Sequence, residues 1–190
     1  MPTDPAALSA ALRELGDLYA EVEAAVGRLS ALHGARLRCR NGCRDCCTDD
    51  LTVFEVEAEQ LRRRYPALLA GSLPHPEGRC AFLDAAGSCR IYAQRPYVCR
   101  TQGLPLRWIE ESSDGQIVEL RDICPLNEAG EPLERLPEEA CWTLGPFEGR
   151  LAQLQAGCDG GTLRRIPLRR LFAAGPRGQG PGRECPVVIR

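Results

Sequence analysis

The chain has 190 residues, of which 44% are hydrophobic and 26% charged, and this composition is typical of one globular domain with its own core. It excludes collagen, a coiled-coil rod and a wholly disordered chain. A formal net charge of −2 gives no general attraction to nucleic acid or to anionic membranes. The unusual feature is cysteine, which occurs 11 times against two histidines.

The sequence contains no run of about 18 apolar residues, so we expect no transmembrane helix. Its first residues, Met-Pro-Thr-Asp-Pro, lack the basic region of a secretory signal, and we therefore expect a cytoplasmic protein. In a reducing compartment, many cysteines indicate metal binding or redox chemistry rather than structural disulfides.

Residues 4–33 are predicted to form a helix, with Asp4 as N-cap and Pro5 at the first helical position. Apolar side chains recur every three or four residues and form one seam: Leu8, Leu12, Leu15, Tyr19, Val22, Val26, Leu29 and His33. The favoured interpretation is a helix that packs on its own domain, and a homodimer seam is the alternative. His33 is interpreted as a boundary residue and not as a metal ligand.

The next segment, 34–51, is predicted to be a turn-rich loop that holds four cysteines. Thr52 and Glu55 have the spacing of a capping box, which predicts a helix that starts there and runs to about Arg64. Glycines and prolines over 71–79 predict another loop.

Two hairpins and a single helical turn are predicted in the middle of the chain. Residues 80–84 and 89–92 flank a short turn, and a single helical turn that carries Cys99 follows them. Residues 104–109 and 116–120 flank a Ser-Asp-Gly turn and form the second predicted hairpin.

Helices are predicted for the last third of the chain, over 137–143 and 146–156. A basic helical segment at 164–172 is broken by Pro167, and we expect its charges to face solvent. The Gly- and Pro-rich residues 175–190 are expected to be disordered.

These elements predict a small α+β fold stabilised by metal, with a long N-terminal helix, cysteine-rich loops, short hairpins and C-terminal helices. We expect four parts along the chain. They are an N-terminal amphipathic helix at 1–35, a cysteine-cluster domain at 36–145, a C-terminal helical segment at 146–174 and a flexible tail at 175–190.

The strongest chemical signal is a cysteine cluster within nine residues, formed by Cys39, Cys43, Cys46 and Cys47. Its neighbours are mostly polar, so the segment is not a core strand. A C-x2-C spacing lets a loop turn around a metal ion, and the cluster therefore predicts a metal site. Because adjacent side chains are expected to diverge, Cys46 and Cys47 could serve different ions, or one could lie outside the coordination shell. A vicinal disulfide is a minor alternative.

The following cysteines are single residues with no second C-x2-C element: Cys80, Cys89, Cys99 and Cys124. Structural zinc sites usually draw their ligands from two close pairs. One pair with scattered single cysteines slightly favours an iron–sulfur cluster, and zinc remains open.

The cysteine segment resembles a known family. The evidence is the cluster from Cys39 to Cys47, the string Cys-Ala-Phe-Leu from Cys80, and Cys-Arg-Ile-Tyr-Ala-Gln-Arg-Pro-Tyr-Val-Cys-Arg over 89–100. These strings are similar to the CxxCxxCC family of cysteine cluster proteins (the YkgJ family), which is described as zinc- or iron-chelating, over about 36–125. The resemblance implies eight ligands: Cys39, Cys43, Cys46, Cys47, Cys80, Cys89, Cys99 and Cys124. Three residues follow Cys39 where the family pattern has two, so Cys39 departs from that pattern.

More distantly, the segment resembles the cysteine-rich part of flagellin lysine-N-methylases. That resemblance implies an alternative function as a metal-cluster module or subunit of a protein-modifying enzyme. The chain has no recognisable glycine-rich loop for S-adenosylmethionine and no catalytic constellation around its two histidines, His33 and His75. We predict no catalytic residue, and independent enzymatic activity is not favoured.

Arginines next to the cysteines could balance the negative charge of a thiolate-bound metal, and Arg95 and Arg100 are the favoured candidates for this contact with the cofactor. Cys141, Cys158 and Cys185 match no motif, and we expect Cys158 and Cys185 to be dispensable. The expected partners are a metal ion or cluster and, through residues 4–33, a protein or a second copy of the chain. Nucleic acid and membrane are not expected.

Overall fold

The computed structural model describes residues 5–40 and 42–172, and it has the predicted α+β architecture. The helices are α1 Pro5–Leu32, α2 Glu55–Arg64, α3 Pro66–Gly71, α4 Tyr97–Thr101 and α5 Pro146–Asp159. The strands are β1 Thr52–Phe54, β2 Leu106–Glu111, β3 Ile117–Asp122, β4 Trp142–Thr143 and β5 Arg165–Pro167. No helix in these ranges has both the length and the apolar character needed to cross a bilayer.

The strands form two small sheets. In the first, β1 and β5 pair antiparallel, with Val53 opposite Ile166. In the second, the order is β3-β2-β4, with β2 and β3 as an antiparallel hairpin and β4 parallel to β2. The second predicted hairpin is therefore confirmed, with both strands displaced by one or two residues toward the C-terminus.

The N-terminal helix packs its apolar seam against the body of its own domain. Leu15 and Val22 are fully buried, and α1 contacts α2, α4 and α5. Burying side chains of this size stabilises the fold by about 1.5–3 kcal/mol each. His33 is buried, and its Nε2 lies 2.6 Å from the carbonyl oxygen of Ala140. The predicted N-cap, Asp4, lies outside the described residues.

The predicted capping box is wrong. Thr52 belongs to β1, and α2 begins three residues later at Glu55. The carboxylate of Glu57, and not that of Glu55, accepts the N–H of Phe54 at the start of the helix. Residues 52–54 are extended because they pair with β5, more than 100 residues further along the chain.

Two further local predictions need correction. The helix predicted at 137–143 is only a 3-10 turn, Glu138–Ala140, followed by β4, because Trp142 pairs with β2 and is buried in the core. The first predicted hairpin is reduced to an isolated bridge between Leu83 and Cys89. The predicted turn that carries Cys99 is present as α4.

The basic segment 164–172 is not a helix, although its Arg164, Arg165 and Arg170 are exposed as expected. It forms β5 and a 3-10 turn, and its Ile166, Leu168 and Leu171 are buried in a core with residues from α2 and from 80–91. Arg169 pairs with Asp49 and also donates to backbone carbonyls of 75–79, so it holds the loop before Cys80. Residues 173–190, with the expected disordered tail and Cys185, lie outside the described residues.

Candidate metal centre

The segment that leads into the first cysteines is fixed against the loop that follows Cys124. The buried Arg36 side chain donates hydrogen bonds of 3.0–3.1 Å to the carbonyl oxygens of Asn127, Glu128 and Glu131. The backbone N–H of Arg38 donates to Oδ1 of Asn127 at 2.7 Å. Two distant cysteine segments are therefore joined by a buried polar network.

Asn127 also contacts the first cysteine directly. Its Nδ2 donates to Sγ of Cys39 at 3.4 Å and to the carbonyl oxygen of Gly103 at 2.8 Å. Gly103 has a φ of +92°, and a Cβ on this residue would lie 2.4 Å from Sγ of Cys39. Cys39, which departs from the family spacing, thus lies in a closely fitted cradle. No sequence motif marks either Asn127 or Gly103.

Tight turns shape the cluster between Cys39 and Cys47. The N–H of Cys43 donates to the carbonyl of Arg40 at 2.9 Å, and the N–H of Cys47 donates to that of Arg44 at 3.0 Å. The ten cysteines in the described part of the chain are all free thiols, so no vicinal disulfide forms there.

The neighbouring thiols of Cys46 and Cys47 influence each other's ionisation. The interaction with Cys47 lowers the pKa of Cys46 to about 7. The same contact raises the pKa of Cys47. Cys46 is therefore the thiol of this pair that ionises first, as a metal ligand must.

The second set of cysteines approaches the first through Cys80. Its backbone N–H donates to the carbonyl of Cys47 at 3.0 Å, although 33 residues separate them. Burial raises the pKa of Cys99, and the neighbouring thiols of Cys80, Cys89 and Cys46 raise it further. These three thiols therefore lie close enough to Cys99 to act on it electrostatically.

Cys124 has a different set of neighbours. Burial raises the pKa of its thiol, and Cys39, Cys46 and Cys43 raise it further. By these electrostatic neighbours we divide the eight predicted ligands into two groups, with Cys46, which acts on both Cys124 and Cys99, at their junction. Group 1 contains Cys39, Cys43, Cys46 and Cys124, and group 2 contains Cys47, Cys80, Cys89 and Cys99.

The position of Cys99 depends on a buried carboxylate. Glu57, which is 3% exposed, accepts the backbone N–H of Tyr97 at 2.9 Å and the hydroxyl of Tyr19 at 2.7 Å. With the N–H of Phe54, these bonds join α1, α2 and the start of α4 at one point. Glu57 therefore fixes the short helix that presents Cys99.

The two favoured arginines both bind Glu23 of α1. Arg95 lies 3.0 Å from its carboxylate, and Arg100 binds the same oxygen while its guanidinium lies 4.0 Å from the ring centre of Tyr19. Arg95 is also near enough to Cys89 to lower the pKa of that thiol, against the stronger effect of burial. The charge of Arg100 is matched by Glu23, and a contact of either arginine with a metal centre remains a prediction.

The remaining sequence candidates lie in other surroundings. Cys158 is buried in the core with α1 and α5, and Cys141 packs in a small cluster with Leu136 and Ala140. Arg90 donates to the carbonyls of 73, 81 and 82, so it holds a loop together.

Within residues 5–40 and 42–172, no three Cys, His, Asp or Glu side chains are arranged as a ready-made metal site. The chemistry of the two thiol groups nevertheless fits zinc and iron, since both metals are held by sets of four cysteine thiolates. The cradle at Cys39 and the bond between Cys47 and Cys80 bring these donors to one region of the fold.

Comparison with known proteins agrees with this chemistry. Residues 38–125 match the model of the CxxCxxCC family, described as "Putative zinc- or iron-chelating domain". No curated protein and no solved structure gave a match to the chain. The resemblance seen in the cysteine spacing is thereby confirmed over residues 38–125, which are similar to the CxxCxxCC family.

Proposed function

We propose that this protein binds zinc or an iron–sulfur cluster through eight cysteine thiolates. The observation that carries the proposal is the meeting of cysteines from four separate segments, at 39–47, 80–89, 99 and 124. A family described as zinc- or iron-chelating covers all eight positions. We infer a cytoplasmic location, because free thiols of this number require a reducing compartment.

We further propose that the two groups hold two adjacent metal centres. Each group supplies four sulfurs, the number that a structural zinc ion or a cubane iron–sulfur cluster takes. The adjacent residues Cys46 and Cys47 stand at the junction, with one member in each group. Single cysteines on scattered loops favour an iron–sulfur cluster over a zinc ion at these centres.

The metal would supply the energy that holds these loops together. Burial raises the pKa of Cys80, Cys89 and Cys99, so these thiols are protonated at neutral pH without a cation. A bound metal ion deprotonates coordinating thiols, and its binding energy then becomes folding energy. The residues of this chain position the sulfurs, and Glu57 and Asn127 do so through backbone and N–H···S contacts.

The test is metal analysis of protein purified without oxygen, combined with its visible absorption spectrum. Iron with equimolar inorganic sulfide and a brown colour would establish the iron–sulfur form. A colourless protein with bound zinc would establish the zinc form. Protein that contains neither metal, and takes up neither when reconstituted, would contradict the proposal.

A further inference from the structure

A groove of about 630 Å³ lies between α1, α2 and residues 93–100. This volume is in the range of small-molecule sites. The groove is on the face of α1 that carries Arg13 and Glu23, and its lining contains no cysteine. It is therefore separate from the two thiol groups, although Arg100 in its wall directly follows Cys99.

The charges that line the groove are strongly unbalanced. Four arginines, Arg13, Arg63, Arg64 and Arg100, face one glutamate, Glu23, so the formal charge of the lining is +3. The whole chain has a net charge of −2, so this excess is local.

Two of these arginines have no partner in the part of the chain that the structure describes. Arg100 is paired with Glu23 and Arg63 with Glu59. Arg13 and Arg64 are exposed and form no salt bridge or side-chain hydrogen bond within the described residues. Arginines with unused donor forks are the usual means of binding carboxylates and phosphates.

The groove also contains buried polar atoms without partners. Arg100 is 6% exposed and Gln60 is 8% exposed, and both line the groove. The Nε of Arg100 and the Oε1 of Gln60 have no hydrogen-bond partner in the described part of the chain. Buried polar groups are nearly always paired, so a ligand that pairs with these atoms is favoured.

We propose that this groove binds a small molecule that carries an oxyanion, either a carboxylate or a phosphate. The exposed Arg13 and Arg64 would hold the anion, and the buried Arg100 and Gln60 would add a donor and an acceptor deeper in the groove. This function goes beyond metal binding and does not depend on it.

Isothermal titration calorimetry on the full chain as purified tests the proposal, with pyrophosphate and citrate as probes at fixed ionic strength. We expect one of the two probes to bind, and the identity of that probe distinguishes phosphate from carboxylate. The double variant R13A/R64A should weaken binding by about tenfold or more, as expected for losing two charge-assisted contacts. Neither arginine has a partner among the described side chains, so the variant should fold normally.

The matched control is R28A/R135A, which removes the same charge from exposed positions outside the groove. Its affinity should equal that of the wild-type protein. The proposal is overturned if neither probe binds the wild-type chain. Equal weakening by the two double variants would also overturn it, because that result means general electrostatic attraction without a site.

Discussion

The amide of Asn127 donates a hydrogen bond to the sulfur of Cys39 across 88 residues of sequence, and it holds the carbonyl of Gly103 at the same time. One fully buried side chain therefore connects three cysteine-bearing segments. The contact holds the sulfur of Cys39 next to the segment that carries Cys124.

Asn127→Ala should reduce the metal bound by group 1, because it removes the N–H donor to Cys39 and leaves the N–H of Arg38 unpaired. Lost buried hydrogen bonds of this kind cost about 1–3 kcal/mol each, which predicts a lower unfolding free energy as well. The readout specific to the metal contact is the sulfur-to-metal charge-transfer band of cobalt-substituted protein. Gln102→Ala, on a neighbouring exposed residue, is the control. An unchanged band and unchanged metal content in Asn127→Ala would show that the N–H···S contact has no role at the centre.

Gly103→Ala should destabilise the protein far more than Gly115→Ala. Both glycines have positive φ angles, +92° and +80°, so both substitutions introduce similar backbone strain. Only at position 103 does the new Cβ meet a close atom, Sγ of Cys39 at 2.4 Å, whereas at 115 the nearest neighbour is 4.0 Å away. Chemical unfolding and metal content of the two variants provide the comparison. Equal losses in both would mean that the cradle around Cys39 is not tight.

Replacing Cys43, Cys46 or Cys47 individually with serine should lower the bound metal and destabilise the fold, since thiolate binding energy is also folding energy. Cys158→Ala should keep the full metal content. This cysteine lies in the apolar core, so its replacement removes packing and not a ligand. A chain that ends near residue 175 should also keep its metal. Unchanged metal in all three serine variants would refute the assignment, and metal loss on truncation would show that Cys185 is a ligand.

The stability of the wild-type protein should fall as the pH drops below about 4, in part because of Asp159. Although burial opposes the shift, hydrogen bonds from the N–H of Arg164 and from Gln155 hold the pKa of this carboxyl well below its ordinary 3.8. A lowered pKa in the folded state gives stability that is present above the unfolded pKa and lost as the pH falls through the folded pKa.

Asp159→Asn should therefore be less stable than the wild-type protein at pH 7, and the difference should shrink as the pH falls below 4. Denaturant unfolding of both proteins at a series of pH values measures this difference, and metal loss in acid affects both alike. A difference that stays constant from pH 7 to pH 3 would contradict the role assigned to Asp159.

The sequence predicted the features that depend on local or repeated patterns. Each of these patterns lies within a few residues of the element that it predicts. They are the apolar seam of α1, the turn signals between β2 and β3, and the proline at the start of α5. The cysteine spacing identified the domain because thiols at short intervals in a polar loop have few other uses.

Features that depend on distant partners were not predictable in the same way. Thr52 and Trp142 lie in strands because of partners at 167 and 106, and a local window favours a helix at both places. Asn127 and Gly103 are single residues without a motif, and their importance follows only from the position of Cys39 in the folded chain. The proposed division of eight thiols into two groups likewise depends on how four loops meet.

Native mass spectrometry of the full chain, purified without oxygen, tests the central claim most directly. It measures the mass of the intact folded protein together with any metal ion or cluster that is bound to its thiols. We predict a mass above that of the polypeptide by two zinc ions or two iron–sulfur clusters, and the loss of one centre in Cys124→Ser and of one in Cys89→Ser. A folded wild-type chain with the mass of the bare polypeptide, before and after reconstitution with zinc or with iron and sulfide, would contradict it.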